Sequence, residues 1–408
     1  MRWEGGGSQT SLREGNRRRV AGLLRAQGPT TRAELARLAE LSRSTISAII
    51  TELIDQGWVE ETGDDRTGQA GRPGSLVTLN PSAGVAVGID IDHRHLRVMI
   101  ADLGHMVLGE TSLPLELNHD ASEAMELAAR AVESVLDEAQ IPARLVLGVG
   151  MALAGPIESR GGTVRPSSIS PSWVGVDAAS EMGRRLGFPV IADNDANLGA
   201  LAELMWGAAR GVSEGAYINV GTGIGAGLII GGAVYRGAIG TAGEIGHTTA
   251  DDRGPVCRCG NRGCLERVSG GSALLQDLAG SHGADLSLED LVAHVKAGET
   301  ACCRIVSDAG YLIGHQVAAL CNLLNPERVI VGGPLSATGD VLLEPIRRSI
   351  ARSALPIAAE TAEVVPGDLG ERATALGAVA LVLRGSGANL FDDRMDGWKG
   401  TEAVAVGR

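Results

Sequence analysis

Metal-binding and acidic side chains are most concentrated between residues 244 and 266, a stretch termed here the cysteine segment. It carries one histidine, three cysteines and two glutamates: His247, Cys257, Cys259, Cys264, Glu244 and Glu266. Three thiolates and one imidazole form the donor set of a closed tetrahedral Zn²⁺ site. Glycines at 260 and 263 allow the tight turns that bring the sulfurs together, which argues against unrelated structural thiols. Because the protein would fill all four positions, we expect a structural metal with two carboxylates held beside it.

The composition is typical of a chain with two or three domains. It has 408 residues, of which 44% are hydrophobic and only 2% aromatic, so the cores must be aliphatic. No uninterrupted apolar stretch reaches the roughly 18 residues of a membrane helix, and no secretory signal is visible. The clustering of three cysteines favours a metal site in a reducing compartment, and we expect a cytoplasmic protein. The other cysteines are expected to be core residues of an apolar helix: Cys302, Cys303 and Cys321.

Charge is distributed unevenly along the chain. Residues 1–80 carry 11 Lys and Arg against 10 Asp and Glu, whereas the remaining residues carry 25 against 39. The formal net charge of −13 argues against a protein that coats nucleic acid over its whole surface. A nearly neutral N-terminal segment on an acidic body fits a DNA-contacting module attached to an enzyme-like domain.

The N-terminal residues have the pattern of a helix-turn-helix. Thr31 and Glu34 predict a capping box for a helix over Arg32–Ala39, and a turn follows at residues 40–42. A second helix is indicated by one apolar stripe: Ile46, Ile49, Ile50, Leu53 and Ile54. Its first turns offer hydroxyl and guanidinium groups suited to base edges and phosphates in a major groove: Arg43, Ser44, Thr45 and Ser47.

Two predicted strands, at residues 58–61 and 76–79, follow these helices and complete the order of a winged helix. The loop between them is rich in Gly and Arg, and Arg72 is a candidate for a phosphate or minor-groove contact. The run of arginines at 17–19 is expected to begin a helix and to reach the DNA backbone. The alternative is a helical protein-interaction domain with a solvated charged face. The complete order, including the wing, favours DNA binding.

From residue 84 onward the pattern changes to that of an α/β fold. Strands are predicted at 85–91, 96–101, 106–111, 145–151, 189–192, 216–220, 225–230, 233–235 and 328–331. Helices are predicted at 121–139, 176–186 and 196–209. Two strand-rich starts, each followed by helices, indicate two similar lobes with a cleft between them. We predict a winged helix-turn-helix at 11–80, a two-lobed domain at 81–384 and a polar tail at 385–408.

Two further motifs lie where an α/β fold presents polar groups. The glycine-rich sequence at 221–227 joins two strands and would let backbone N–H groups approach a phosphate, although such turns are often only hairpins. The sequence Asp-Asn-Asp-Ala-Asn at 193–197 lies between a buried strand and a helix. Asp195 is a candidate general base toward a hydroxyl, with Asn194 holding the same ligand. These residues are equally suited to capping the helix.

These motifs resemble the ROK family (repressors, open reading frames and kinases of sugars), in the subgroup with an N-terminal winged helix-turn-helix. The likeness covers about residues 11–384 and is carried by the glycine-rich turn, the Glu-Ile-Gly-His motif at 244–247 and the cysteine segment. The resemblance implies a two-lobed, actin-like (ribonuclease H-like) domain of the sugar-kinase type. It implies a structural zinc held by His247, Cys257, Cys259 and Cys264. It also implies a sugar site formed by Asn194, Asp195, Glu244, His247 and Glu266. The same resemblance implies a phosphate loop formed by Gly221, Thr222, Gly223 and Gly225.

Two departures from the family pattern separate a regulator from a kinase. Family kinases carry Asp-x-Gly-Gly-Thr at the first phosphate loop, where this chain has Asp90-Ile-Asp92-His93-Arg94. A carboxylate close to a phosphate would cost on the order of 1–4 kcal/mol per charge pair, so ATP is not expected as a cofactor. In addition, Ile169 stands where family kinases carry the Asn that contacts a sugar hydroxyl. The identity of the sugar therefore cannot be inferred from the family.

The sequence therefore predicts a sugar-responsive transcriptional regulator, a repressor, whose partners are double-stranded operator DNA and a sugar or sugar derivative. Operators commonly present two half-sites, so we expect a homodimer or homotetramer. An active ATP-dependent sugar kinase with an appended DNA-binding domain is the alternative, in which Asp195 would be the catalytic base. A third hypothesis is a regulator whose body binds a protein partner in place of a sugar.

Overall fold

The computed structural model describes residues 9–64, 75–116, 119–158, 163–164, 171–283 and 285–389. The described residues form two compact units. The first draws on Met1–Val85, Ala101–Met106 and Leu383–Arg408. The second draws on Ala86–Ile100 and Val107–Val382. None of the described helices has the length and apolar character needed to cross a membrane.

The described residues between 9 and 79, in the first unit, form three helices and three short strands. The helices are α1 (Gln9–Gln27), α2 (Arg32–Ala39) and α3 (Arg43–Asp55), and the strands are β1 (Thr30–Thr31), β2 (Val59–Asp64) and β3 (Ser75–Leu79). The strands form one antiparallel sheet in the order β1-β3-β2. The predicted apolar stripe of α3 is buried at Ile46, Ile49, Ile50 and Leu53, which confirms the winged-helix pattern.

Helix α2 begins and ends as the sequence predicts, but its capping box is only half formed. The Thr31 hydroxyl accepts a hydrogen bond from the backbone N–H of Glu34 at 3.2 Å. The Glu34 carboxylate instead accepts two bonds from Arg37 on the same helix. Because Glu34 pairs with Arg37 at i, i+3, its carboxylate does not make the second hydrogen bond of the capping box.

The prediction for the arginine run at 17–19 was wrong. These residues lie in the middle of α1 instead of at its start. Arg17 is buried, and its guanidinium pairs with Glu52 of α3 at 3.1 Å and donates to Gln56 at 2.8 Å. Arg19 pairs with Glu40. Internal ion pairs that join the helices, rather than DNA contacts, account for Arg17 because a buried charge needs a partner.

The second unit contains two five-stranded sheets and most of the helices. One sheet has the order β6-β5-β4-β7-β8, with β4 (Val85–Ile91), β5 (His95–Asp102), β6 (Val107–Pro114), β7 (Val146–Leu153) and β8 (Val190–Asn194). The other has the order β11-β10-β9-β12-β13, with β9 (Gly215–Val220), β10 (Ile224–Ile230), β11 (Ala233–Tyr235), β12 (Arg328–Gly332) and β13 (Glu363–Pro366). Two sheets of equal strand number confirm the predicted pair of lobes.

The helices of this unit lie between the strands along the chain, and four of them follow one another between β11 and β12. They are α4 (Ala121–Glu138), α5 (Ala178–Leu186), α6 (Asp195–Trp206), α7 (Leu265–Ser269), α8 (Gly271–His282), α9 (Leu288–Lys296), α10 (Thr300–Leu324), α11 (Asp340–Ser353), α12 (Pro356–Thr361) and α13 (Ala373–Asn389). Helix α6 ends three residues earlier than predicted, because Gly207 lies at its C-terminal end. The part of the predicted tail beyond residue 389 lies outside the described residues.

Strand β13 was missed, since the prediction placed only one strand in the C-terminal part. It pairs in parallel with β12, from Arg328 opposite Glu363 to Val331 opposite Pro366. Only Val364 is buried in this four-residue strand, so the sequence offers no alternating pattern. The pairing depends on a distant strand and could not be read locally.

Close packing, rather than turn formation, explains two glycines of the second sheet. A Cβ on Gly227 would lie 2.4 Å from the carbonyl oxygen of Ala196 in α6. Gly243 has φ +96°, and a Cβ there would lie 1.9 Å from the carbonyl oxygen of Ala226. Both positions require glycine. They hold β10 against α6 and fix the backbone immediately before Glu244.

Candidate functional site

The structure brings the predicted sugar-binding side chains together in one cleft of the second unit. Strand β8 and helix α6 supply Asn194 and Asp195, and the cysteine segment supplies Glu244, His247 and Glu266. The cleft opens to solvent, so a small polar ligand can reach these side chains. Residues that lie up to 72 positions apart in the chain therefore share one cavity wall.

Asn194 caps helix α6 and also lines the cleft. Its side-chain oxygen caps α6 by accepting hydrogen bonds from the backbone N–H groups of Ala196 and Asn197 at 3.0 and 3.1 Å. Its side-chain amide donates to the carbonyl oxygen of Gly155 at 3.0 Å, and the residue lines the cleft. The cap fixes the end of β8, so the carboxylate of the next residue has a defined direction.

Asp195 lies at the first position of α6 and faces the cleft. The Asn219 side-chain amide donates to its Oδ2 at 3.1 Å, and the backbone N–H of Ala196 donates to its Oδ1 at 2.9 Å. Desolvation within the cleft, together with the charges of Asp92 and Asp90, raises the pKa of Asp195 to about 8. A carboxyl group with that pKa exchanges its proton near neutral pH, as a general base or a switchable hydrogen-bond acceptor requires.

The turn between β4 and β5 contributes a second charged cluster. His95 lies with Nε2 3.5 Å from Asp90 Oδ2 and Nδ1 3.5 Å from Asp92 Oδ2. Burial opposes protonation of this ring, but the two aspartates overcome it and raise the pKa of His95 to about 9. His93 is buried, and burial lowers its pKa. Acidic and imidazole side chains thus occupy the loop that the family resemblance associates with phosphate.

The glycine-rich turn of residues 221–223 lies in the same cleft, between β9 and β10. The carbonyl oxygens of Gly221 and Thr222 accept hydrogen bonds from the backbone N–H groups of Gly271 and Ser272, at the start of α8. Gly225 lines the cleft from within β10, where a Cβ would lie 3.1 Å from the Cβ of Ala196. The turn is a built part of the cavity, and Gly225 serves packing against α6.

The four predicted metal ligands converge in the cysteine segment. The ligand atoms of His247, Cys257, Cys259 and Cys264 all lie within 4.8 Å of one another. Cys259 Sγ lies 3.6 Å from Cys264 Sγ, and Cys257 Sγ lies 3.7 Å from His247 Nδ1. Tetrahedral zinc with ordinary bond lengths separates two sulfurs by about 3.8 Å and a sulfur from a nitrogen by about 3.6 Å. The donor set and its spacing fit a tetrahedral metal ion.

The two glutamates lie on either side of His247. Glu266 Oε1 is 3.5 Å from His247 Nδ1 and accepts a hydrogen bond from the Cys257 thiol at 3.3 Å. Glu244 Oε2 is 3.8 Å from His247 Nε2. Burial and the charge of Glu266 raise the pKa of Glu244 to about 7. His247 therefore presents Nδ1 to Cys257 and Glu266, and Nε2 to Glu244.

The predicted DNA-reading residues lie at the N-terminal end of α3 in the first unit. Arg43, Ser44 and Ser47 are exposed, and Thr45 is half-buried. Ser42 caps the helix by accepting from the Thr45 backbone N–H at 3.1 Å, and its hydroxyl also contacts those of Ser44 and Thr45. An exposed, polar first turn is available to a DNA groove. Arg72 lies outside the described residues, as does Ile169.

Sequence reasoning missed two residues that line the cleft, Asn219 and His95, and an ion pair made by the residue before Asn194. The Asn219 amide donates to Asp195, and its position two residues before the glycine-rich turn was the available signal. His95 neutralises Asp90 and Asp92, and its place two residues after His93 in a hairpin could have indicated the same face. Arg236 pairs with Asp193 at 2.7 Å, a long-range contact without a local signal.

Comparison with known protein families identifies both parts of the chain. The ROK family matches residues 86–385, and the MarR family matches residues 15–70. The chain belongs to the ROK family. Its N-terminal helices and strands are a MarR-type winged helix, and its two sheets form the actin-like domain shared with sugar kinases.

Similar proteins include both regulators and enzymes. A putative xylose repressor of Caldicellulosiruptor sp. (strain Rt8B.4) is 33% identical over 368 residues, covering 86% of this chain and 91% of the relative. The crystal structure of a ROK family transcriptional regulator homologous to Mlc of E. coli matches with a TM-score of 0.77 at 26% identity, covering 93% of this chain and 98% of that one. A ROK family glucokinase from Streptomyces griseus, in complex with glucose and AMPPNP, matches with a TM-score of 0.66 at 26% identity, covering 73% and 99%.

Proposed function

We propose that this protein is a sugar-responsive transcriptional repressor. The winged helix binds operator DNA, with Arg43, Ser44, Thr45, Ser47 and Arg72 as its contacts. A sugar binds in the cleft and changes the affinity for DNA. The observation that carries the proposal is the pairing, in one cavity, of the five side chains that the family resemblance assigns to a sugar with a first phosphate loop occupied by Asp92 and His93. The xylose repressor and the Mlc homologue, which match nearly the whole chain, support it.

The charge of the cleft favours an uncharged sugar over a sugar phosphate. Among the described residues, seven carboxyl groups line it against two cationic side chains, Arg97 and the protonated His95. The carboxyl groups are those of Asp90, Asp92, Asp195, Glu244, Glu266, Glu289 and Glu371. Charge repulsion between an added phosphate and one unpaired carboxylate about 4 Å away would weaken binding by about 1–4 kcal/mol. Hydroxyl groups, by contrast, donate to carboxylates at no electrostatic cost. The effector is therefore a neutral monosaccharide held by Asn194, Asp195, Glu244, His247 and Glu266.

Zinc in the cysteine segment acts as a structural clamp. His247, Cys257, Cys259 and Cys264 would hold it, and no ligand position would remain for a reacting water. Its role is to fix His247 and, through the contacts of Cys257 and His247, the neighbouring Glu266. With this wall held rigid, the sugar binds the closed cleft and the open cleft with different affinities. That difference in affinity drives the response.

DNA binding measured with and without sugars tests the proposal. Fluorescence anisotropy with a fragment of the protein's own promoter gives the Kd for DNA. We expect one neutral pentose or hexose to change this Kd at least tenfold. The corresponding sugar phosphate should have no effect, and Asp195→Asn should lose the response while it retains DNA binding. Equal affinity for promoter and scrambled DNA, unchanged by every sugar, would refute the proposal. Operator DNA with one half-site removed tests the homodimer or homotetramer that we expect.

A sugar kinase with a DNA-binding domain is the second candidate, and Asp195 is the observation in its favour. A pKa near 8 suits a general base, and the turn at Gly221, Thr222 and Gly223 remains in the cleft beside it. In our proposal this activity has been lost because Asp92 and His93 occupy the first phosphate loop. ATP turnover with a panel of hexoses decides the matter: phosphorylation that disappears in Asp195→Ala would establish the kinase.

A further inference from the structure

Three helices of the second unit meet at a cluster of metal-ligating side chains outside the cleft and outside the cysteine segment. His282 is the last residue of α8, and His294 lies in the last turn of α9. Glu299 is the N-cap residue of α10, and Cys302 lies in its first turn. The cluster therefore joins the ends of two helices to the beginning of a third.

One carboxylate connects the two imidazoles of this cluster. Glu299 Oε1 contacts His282 Nε2, and Glu299 Oε2 lies 2.7 Å from His294 Nδ1. The Ser281 hydroxyl lies 2.8 Å from His282 Nδ1, which leaves Nε2 as the ring nitrogen that faces the cluster. The ligand atoms of His282, Glu299 and Cys302 all lie within 4.8 Å of one another.

A carboxylate–imidazole ion pair alone does not account for the thiol. Cys302 is fully buried, and its sulfur lies 3.7 Å from His282 Nε2. This spacing is close to the separation of about 3.6 Å that zinc imposes on a sulfur and a nitrogen ligand. It equals the distance between Cys257 Sγ and His247 Nδ1 in the cysteine segment. The Glu299 side chain is 38% exposed and so has room to move outward when an ion enters between it and His282.

We infer that His282, Glu299 and Cys302 form a second transition-metal site, and that its preferred ion is Zn²⁺. A nitrogen, a carboxylate oxygen and a thiolate form a borderline-soft set that suits zinc and disfavours Mg²⁺ and Ca²⁺. His294 binds the second oxygen of Glu299 and orients the carboxylate, as outer hydrogen-bond partners of metal ligands do. Three protein ligands leave a fourth position open to water or another small ligand.

Metal stoichiometry of the full-length protein tests this inference independently of the sugar proposal. After chelation and reloading with Zn²⁺, elemental analysis should find two equivalents in the parent and one in His282→Gln or Cys302→Ala. His294→Ala should keep the second equivalent with a Kd weakened about 10–100-fold. Cys303→Ala is the matched control, because its sulfur donates to the Val295 carbonyl and it should retain both equivalents.

Cobalt distinguishes the two sites by their thiolates. Co²⁺ bound to Cys259→Ala should keep a thiolate charge-transfer band that disappears in the double variant with Cys302→Ala. Circular dichroism of the metal-free variants controls for folding. A parent that binds one equivalent, or a second equivalent that both His282→Gln and Cys302→Ala retain, would overturn the inference. Loss of the second equivalent in Cys303→Ala would do the same, because it would show that the helix, and not this ligand set, holds the ion.

Discussion

The carboxyl group of Asp195 should lower the stability of the protein at alkaline pH, and Asp195→Asn should relieve that cost. The folded-state pKa of about 8 lies well above the ordinary value of 3.8. Below pH 4 both states are protonated and the group has no effect. As the pH rises toward 8 the unfolded chain ionises while the native carboxyl keeps its proton, so native stability falls steadily. Above pH 8 the full cost is present.

The size of this effect follows from the two pKa values. Each pH unit between them corresponds to about 1.4 kcal/mol, which gives an upper limit of about 5–6 kcal/mol for a fully enclosed group. Asp195 is partly exposed to the cleft, so solvent screening reduces the expected cost to about 2–3 kcal/mol. The Asn side chain can still accept one of the two existing hydrogen bonds. For a domain of about 300 residues this gain in stability corresponds to about 3–5 °C in Tm.

Differential scanning calorimetry of parent and variant between pH 5 and pH 9 measures this stability cost of Asp195. We expect the Tm advantage of Asp195→Asn to be small at pH 5 and to grow through pH 8. Asp308→Asn is the control, because its carboxylate is exposed on α10 and pairs with Arg304. An advantage that is constant over the whole range, or a variant less stable than the parent at pH 9, would refute the reasoning.

Three further predictions follow from the proposed sites. Arg43→Ala should weaken promoter binding by about 1–3 kcal/mol in anisotropy titrations, whereas the exposed Arg130→Ala on α4 should not; equal loss in both would exclude a specific contact. Cys259→Ala should lose the zinc of the cysteine segment and abolish the sugar response more than basal DNA binding; unchanged metal content by elemental analysis would contradict this. Sugar binding should release protons near pH 8, because hydroxyl donation favours the ionised Asp195; calorimetry showing the same heat in buffers of different ionisation enthalpy would contradict it.

Much of the fold was predictable because its signals are local. The stripe of α3 from Ile46 to Leu53 repeats with the helical period, and Thr31 marks the start of α2 by a contact within one turn. The cysteine segment is also local, since three of its four ligands lie within eight positions. Such features depend on neighbouring residues alone and can be read from the chain.

The features that were missed depend on contacts between distant residues. Arg17 was expected to reach the DNA backbone, but α3 brings Glu52 within 3.1 Å of its guanidinium. Strand β13 exists because β12 provides an edge for Glu363–Pro366. Cys302 looked like an ordinary core thiol, and only the meeting of three helix ends placed it beside His282. Neither pattern nor composition fixes these partners, because tertiary packing selects them.

The retained carboxylate and the altered phosphate loop together argue for a sensor. If Asp195 only closed the end of α6, an asparagine there would fill the space without the cost of a carboxyl group whose pKa is raised to about 8. A kinase would justify that cost, but it also needs a loop that admits phosphate, where this chain places Asp92 and His93 in the cleft. A sugar receptor needs only the first of these features, since hydroxyl recognition requires an acceptor and no phosphate. In the proposed regulator a sugar in the cleft offsets the cost of Asp195, and the part of that gain that differs between the two states of the protein is the free energy available to shift the DNA-binding equilibrium.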